Sequence, residues 1–251
     1  MQASPITVPS GLIDMLRTAR SVTVLTGAGI SAESGIPTFR DSQTGLWAQY
    51  DPHQLATPEA FAHNPKLVMD WYRWRRELVE RAAPNPGHYA LAQIEQRVDR
   101  FTLITQNVDG LHTQAGSRRV VELHGNIHRL RCSSARCAYT VDHWPDEETP
   151  HCPQCGALLR PDVVWFGEMI PPGALQAALN ASRNCQVFLS IGTSGVVEPA
   201  ASLPYEALRA GASVIEINPQ PTPLSIFAKY YFSQPAGQVL PEITRAVWDE
   251  V

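Results

Sequence analysis

No uninterrupted apolar run in this chain approaches the length of a membrane-spanning helix, which excludes a helical membrane anchor within it. Positive charge is in short supply as well. Lys and Arg number 20 against 24 Asp and Glu, a net charge of −4, and non-specific nucleic-acid binding needs the opposite balance. The opening Met1-Gln2-Ala3-Ser4-Pro5 lacks the charged start and apolar stretch of a secretory signal, so a cytoplasmic location with reduced thiols is expected. Repeats and low-complexity segments are also missing. What remains is 251 residues, 44% hydrophobic and 18% charged, enough for one large or two modest domains with a sizeable core.

Against that background one segment stands out. Gly27-Ala28-Gly29-Ile30-Ser31-Ala32-Glu33-Ser34-Gly35-Ile36-Pro37-Thr38-Phe39-Arg40 follows the apolar strand candidate Val22-Thr23-Val24-Leu25. A Gly-x-Gly-x-x-Ala opening after a strand places peptide N–H groups and a helix N-terminus against a dinucleotide pyrophosphate. The same pattern also serves as a tight turn with no ligand. The Phe39 ring and Arg40 guanidinium at its end suit a cofactor ring and phosphate oxygens.

Cysteine is scarce, but four of the five fall in two close pairs, Cys132/Cys137 and Cys152/Cys155. Paired thiolates on turns of small and polar residues fit a closed tetrahedral zinc site, structural because it has no open position. A redox dithiol at Cys152-Pro153-Gln154-Cys155 and a nucleic-acid-binding ribbon share the spacing; the first lacks a thioredoxin-like context and the second a basic patch. His143 and His151 are nearby substitute ligands or plain loop histidines. Cys185, before the strand Val187-Phe188-Leu189, reads as a small buried apolar residue.

Along the chain, Ser10 is expected to cap a first helix with an apolar face of Leu12, Ile13, Leu16 and Ala19. Strand 22–26 follows. Thr57-Pro58 and Asn64-Pro65 open two helices, the second running to about Arg81. A helix at 87–98, strand 101–105, strand-like Asp162-Val163-Val164-Trp165-Phe166, a helix near 173–182, strand 187–191, a helix after Pro199 and strand 213–217 complete the pattern. Short apolar strands alternating with helices predict an α/β fold with a doubly wound parallel sheet. The strands end in Gln106-Asn107-Val108-Asp109-Gly110-Leu111-His112, in Gly192-Thr193-Ser194-Gly195 and in Asn218-Pro219-Gln220, loops that would line one crevice with the glycine block. No acidic residue closes a second strand about 20 residues after the glycines, as a hydride-transferring dinucleotide fold requires.

Taken in order, the Gly27–Arg40 block, Gln106–His112, His124-Gly125, the four cysteines, Phe166-Gly167-Glu168, Gly192-Thr193-Ser194 and Asn218 make the chain resemble the sirtuins, NAD-dependent protein-lysine deacylases. The resemblance covers about residues 10 to 245. It implies a Rossmann-type NAD-binding domain (10–40, 99–128 and 160–245) and a smaller domain from two insertions, one helical (41–98) and one zinc-binding (129–159). NAD and an acylated lysine would meet between them. It further implies cofactor contacts from Gly27, Ala28, Gly29, Ala32, Glu33, Thr38, Phe39, Arg40, Trp47, Gln106, Asn107, Asp109, Gly192, Thr193, Ser194, Asn218, Pro219, Gln220 and Ala236. In the family's reaction the substrate amide oxygen attacks C1′ of the nicotinamide ribose as nicotinamide leaves, and His124 is the candidate base for a ribose hydroxyl. A lone His before Gly is otherwise a structural hydrogen-bonding residue. Phe166, Gly167 and Glu168 on one side and Val196 and Val197 on the other resemble edges between which an acylated-lysine peptide inserts as an extended strand, a mode that reads backbone more than side chains. A monomer is consistent with this picture.

The helix opening at Asn64-Pro65 carries Leu67, Trp71, Trp74 and Leu78 at helical spacing, an expected apolar stripe, with Tyr72 and Arg75 three apart on a neighbouring face. Tyr-x-x-Arg resembles the pair that marks sirtuins acting on succinyl- and malonyl-lysine, and Ala32 is similar to that class in leaving room for a longer acyl chain. The alternative is a core tyrosine beside a solvated arginine. Three functions stand: a lysine deacylase preferring acidic acyl groups, a protein mono-ADP-ribosyltransferase on the same fold, and a non-catalytic NAD sensor or zinc-ribbon adaptor.

Overall fold

The structure is a computed structural model and describes residues 6–38 and 54–249. Helices α1 (Ser10–Thr18), α2 (Pro58–His63), α3 (Pro65–Glu80), α4 (Pro86–Arg97), α5 (Leu111–Gln114), α6 (Pro172–Arg183), α7 (Leu203–Arg209) and α8 (Ala236–Trp248) alternate with strands. The strands are β1 (Ser21–Thr26), β2 (Arg100–Thr105), β3 (Val120–Glu122), β4 (Gly125–Cys132), β5 (Thr140–Val141), β6 (Leu159–Val163), β7 (Val187–Ile191), β8 (Ser213–Ile217) and β9 (Tyr230–Phe232).

Six strands form one parallel sheet in the order β3-β2-β1-β7-β8-β9. Strands in its middle are buried on both faces, as a parallel sheet between helices requires. Val22 and Val24 of β1, Leu103 of β2 and Ile215 of β8 turn to one face, where α1, α4 and α8 supply Leu12, Leu16, Leu91, Ile94, Leu240 and Ile243. Leu25, Ile104, Phe188 and Val214 turn to the other, under α6 and α7. A third core lies apart from the sheet. It joins Phe61, Val68, Met69, Tyr72 and Val79 of α2 and α3 to Ile127, Leu130, Leu159, Val163 and Trp165 around a three-stranded antiparallel sheet, β5-β4-β6.

Local chemistry accounts for the helix starts. Thr57 Oγ1 accepts from Ala60 N–H and Asn64 Oδ1 from Leu67 N–H, each followed by proline at the first helical position. Asn85 caps α4 by accepting from Gly87 N–H, while its amide donates to Ile30 O at 2.7 Å and Ser34 Oγ at 3.0 Å, which ties the glycine block to this helix.

Several expectations are corrected. Ser10 is the first helical residue of α1, not its cap; Pro9 holds that position without a side-chain bond. The segment after the glycines is a 3₁₀ turn, Ala28–Ser34, closed by Gly35 at φ 82°, not an α-helix. The strand expected at 162–166 lies at 159–163 and pairs antiparallel with β4, because Cys132 and Leu159 lock the register there; the chain turns at Phe166 and Gly167. The α3 stripe is rotated. Val68, Met69, Tyr72 and Val79 are buried, whereas Leu67 and Leu78 are 46% and 40% exposed. α4 packs on the large sheet with α8, so residues 86–97 lie with the large sheet rather than with the helical insertion, and the small sheet begins at Gly125 rather than after 128.

Candidate active site

The glycine block and the loop after β7 meet backbone to backbone. Gly27 N–H donates to Ile191 O at 3.0 Å and Gly29 N–H to Gly192 O at 2.8 Å. A Cβ on Gly29 would lie 2.7 Å from Gly192 Cα, and one on Gly192, at φ 58°, 2.5 Å from Ile30 N. Glycine is demanded here by the approach of two loops. The amides of Gly27 and Gly29 are therefore committed inside the protein and are not the phosphate donors suggested by the pattern.

From this seam a web of side chains extends. Asn107 Nδ2 donates to Gly27 O and to Ser31 Oγ, both at 3.1 Å, and Ser31 Oγ donates to Asp109 Oδ2 at 2.7 Å. Asp109 also accepts from Leu111 N–H at 3.0 Å. Burial raises the Asp109 carboxyl above its ordinary value against these bonds. Gln106 Nε2 donates to Thr193 Oγ1 at 3.1 Å, and Asn218 Nδ2 to Thr193 O at 3.2 Å. The ends of β1, β2, β7 and β8 are thus stitched into one polar crevice at the carboxyl edge of the sheet, where ligands bind in open α/β folds.

His124 sits at its margin. Its Nδ1–H donates to Gln106 O at 2.9 Å, which leaves Nε2 as a lone-pair nitrogen. Burial lowers its pKa, and the bond to Gln106 only partly opposes this. His124 O accepts from Val164 N–H at 2.9 Å. Through Val164 and its neighbour Trp165 His124 is joined to the small-domain core.

In that core Tyr72 is 1% exposed and its hydroxyl accepts from Trp165 Nε1–H at 2.9 Å. Arg75 lies against it, its guanidinium carbon 4.8 Å from the Trp71 ring centre and 5.4 Å from that of Tyr72. Burial raises the Tyr72 pKa and lowers that of Arg75. Tyrosine and arginine meet as the spacing predicts, with Tyr72 buried in the core and Arg75 half-buried beside it.

The remaining expected residues divide. Ser194 and Asn218 are half-buried in the crevice, while Pro219 and Gln220 are exposed beyond it. Ala32 is exposed at the 3₁₀ turn. Glu33 does not face the crevice: its carboxylate accepts from Gly237 N–H at 2.7 Å, and Ala236 beside it is buried in the sheet core, so these two hold α8 in place. Glu168 likewise turns inward, taking Arg160 at 2.5 and 2.9 Å and Trp165 N–H at 2.9 Å. Phe166 N–H donates to Ala56 O at 3.0 Å and Gly167 adopts φ 84°. Phe166, Met169, Val196 and Val197 are exposed apolar side chains. Thr38 closes the described part of the block; Phe39, Arg40 and Trp47 lie outside the described residues. Ser31 and Trp165 were given no role by their sequence context. Ser31 lies inside the glycine block, where a buried hydroxyl between an amide and a carboxylate has no local sequence signal.

The four cysteine sulfurs lie within 4.8 Å of one another, with Cys132 to Cys155 at 3.4 Å and Cys137 to Cys152 at 3.7 Å. A metal at about 2.3 Å from each thiolate sets tetrahedral edges of about 3.8 Å. The donor set fits such an ion, and neither His143 nor His151 joins the group. Ser134 N–H approaches Cys132 Sγ at 3.4 Å, a turn geometry that favours the thiolate. Cys185 stands apart, its thiol pushed up to about 11 by burial.

Residues 27–199 match the Sir2 family. The chain belongs to the Sir2 family. This sirtuin is 50% identical over 243 residues to NAD-dependent protein deacylase 1 of Pseudomonas aeruginosa, covering 93% of this chain and 97% of the relative. Its fold superposes on a solved Sir2 homologue–NAD complex with a TM-score of 0.89 at 45% identity, covering 98% of this chain and 96% of the other. A Sir2–p53 peptide–NAD⁺ structure matches at a TM-score of 0.80 and 32% identity, covering 94% and 97%. Among the described residues of this sirtuin no helix is long and apolar enough to cross a membrane.

Proposed function

We propose that this sirtuin is an NAD-dependent protein-lysine deacylase that removes succinyl and malonyl groups, and acetyl groups less efficiently, releasing nicotinamide and O-acyl-ADP-ribose. The observation that supports the acyl preference is the packing of Arg75 against Tyr72, which is joined to His124 through Trp165 and Val164. Bound NAD supplies the electrophilic ribose carbon. The chain's residues do the rest. Asn107 and Asp109, held by Ser31, orient the nicotinamide ribose and carboxamide; Gln106 and Asn218, held at Thr193, position the ribose hydroxyls. His124 Nε2 takes the ribose proton, with the Gln106 carbonyl stabilising the imidazolium that results. Phe39 and Arg40 cover the cofactor, and an extended acyl-lysine peptide lies between the Phe166–Glu168 turn and Val196–Val197. Cys132, Cys137, Cys152 and Cys155 hold one zinc ion that is structural, since four thiolates leave it no open position. The setting for this work is the cytoplasm.

The Arg75 guanidinium and Tyr72 hydroxyl would bind the distal carboxylate of the acyl chain. Hydrogen bonds to a charged group are worth roughly 1.5–3 kcal/mol each, so the two together give a preference of about 10²-fold or more at about 1.36 kcal/mol per tenfold. Arg75→Met is expected to lower kcat/KM for a succinyl-lysine peptide by about 10- to 10²-fold while changing acetyl-lysine turnover far less. Equal losses on both peptides would refute the carboxylate pocket.

A further inference from the structure

Trp165 is buried at 3% exposure, and its indole Nε1–H donates to Tyr72 Oη at 2.9 Å with the rings 6.3 Å apart. A phenol hydrogen prefers the ring plane, so a donor seated on one side of the oxygen turns the O–H to the other. Arg75, against the same phenol, carries donors only. Neither neighbour accepts the phenol hydrogen, which is left to an acceptor beyond them.

The indole is fixed from behind. Arg160 stacks on it with the guanidinium carbon 3.3 Å from the ring centre and donates to Val163 O at 2.8 Å and to both oxygens of Glu168. Glu168 in turn accepts from Trp165's own N–H, and Phe61 packs on the indole at 5.4 Å. A continuous chain of contacts, Glu168 to Arg160 to Trp165 to Tyr72, therefore sets the direction of one hydroxyl.

We infer that Trp165 is a specificity-determining positioning residue for acyl groups that end in a carboxylate: its indole N–H fixes the Tyr72 hydroxyl as a donor aimed at the distal carboxylate. An acetyl group ends before that point and gains nothing from the alignment. The inference rests on the Tyr72/Arg75 reading above and adds the group that orients it.

The test compares the full-length wild type with Trp165→Phe, Tyr72→Phe and the double variant, on succinyl- and acetyl-lysine peptides of one sequence at saturating NAD. Phenylalanine keeps most of the ring and deletes the N–H. Trp165→Phe is expected to raise KM for the succinyl peptide about 5- to 10-fold, with kcat within about twofold and acetyl values nearly unchanged. The double variant is expected to match Tyr72→Phe within about twofold, since both remove one alignment. Equal losses on both peptides, or losses that multiply in the double variant, overturn the inference. A selective loss in Arg75→Met and Tyr72→Phe but not in Trp165→Phe overturns it alone; no selective loss in any of them overturns the carboxylate pocket as well. Should Trp165→Phe not fold, the wild-type ¹⁵N-indole spectrum decides. Succinyl peptide shifts the Trp165 N–H resonance and acetyl peptide leaves it in place; the same shift from both contradicts the inference.

Discussion

His124 shows how one bond assigns a role. With Nδ1–H given to Gln106 O, only Nε2 is left to take a proton, and burial lowers the pKa. A base must be neutral to act, so a depressed value extends activity toward lower pH. The acid limb of kcat/KM is expected to inflect below about 6.5 and to vanish with the activity in His124→Ala; an inflection above that value contradicts the assignment. Deeper in, His88 and His112 lie 4.8 Å apart and burial lowers them to about 4 and about 3. Their folded values are depressed, so the unfolded chain takes up protons first and stability falls as pH drops from about 6.5 toward those values. Each histidine accounts for about 2 kcal/mol of loss between pH 7 and pH 5. Denaturant titrations should show His112→Gln losing about 2 kcal/mol less than wild type over that interval; an identical loss refutes the linkage. At this scale the sequence order of motifs pointed to His124, Asn107, Asp109 and the cysteines. It gave no sign that the amides of Gly27 and Gly29 and the carboxylates of Glu33 and Glu168 are bonded within the protein, because what each group bonds to is settled by segments distant in the chain.

Among elements, the helix starts were the most legible because caps act locally. Asn64→Ala removes the bond to Leu67 N–H and is expected to cost about 1 kcal/mol in a thermal or urea melt; no cost would mean the cap is idle. The face of α3 was less legible. Leu67, Trp71, Trp74 and Leu78 share one helical row, and Val68, Met69, Tyr72 and Val79 lie on its neighbour, so periodicity alone does not choose between them. Packing chose the row that meets Trp165 and Ile127. β3 and β9, three residues each, are too short to announce themselves, yet they flank the sheet. The seam between the glycine block and Gly192 is an unforgiving element contact. Gly192→Ala would bring a methyl against Ile30 N and demand a left-handed backbone of alanine, and it is expected to destabilise the fold by at least about 2 kcal/mol. A melt unchanged from wild type would refute the close approach.

For the molecule as a whole, alternation of short apolar strands and helices made the doubly wound sheet readable, and the paired cysteines made the second module readable. The join between them was not, because β4 and β6 come from segments flanking the zinc loops and find each other only in three dimensions. The cores are separate: Cys132 and Cys152 belong to the small-domain cluster and not to either face of the large sheet. Stripping zinc with a chelator under reducing conditions is therefore expected to abolish deacylation while far-UV circular dichroism keeps most of its helical signal. Loss of the whole signal in one step would show that the sheet depends on the metal.

NAD-dependent removal of acidic acyl groups is measured most directly by mass spectrometry of the products formed from NAD and matched acetyl-, malonyl- and succinyl-lysine peptides. Free lysine peptide, nicotinamide and O-acyl-ADP-ribose are expected in equal amounts, formed faster from the succinyl and malonyl peptides than from the acetyl one. ADP-ribose attached to protein, or no NAD-dependent release of any acyl group, would contradict it.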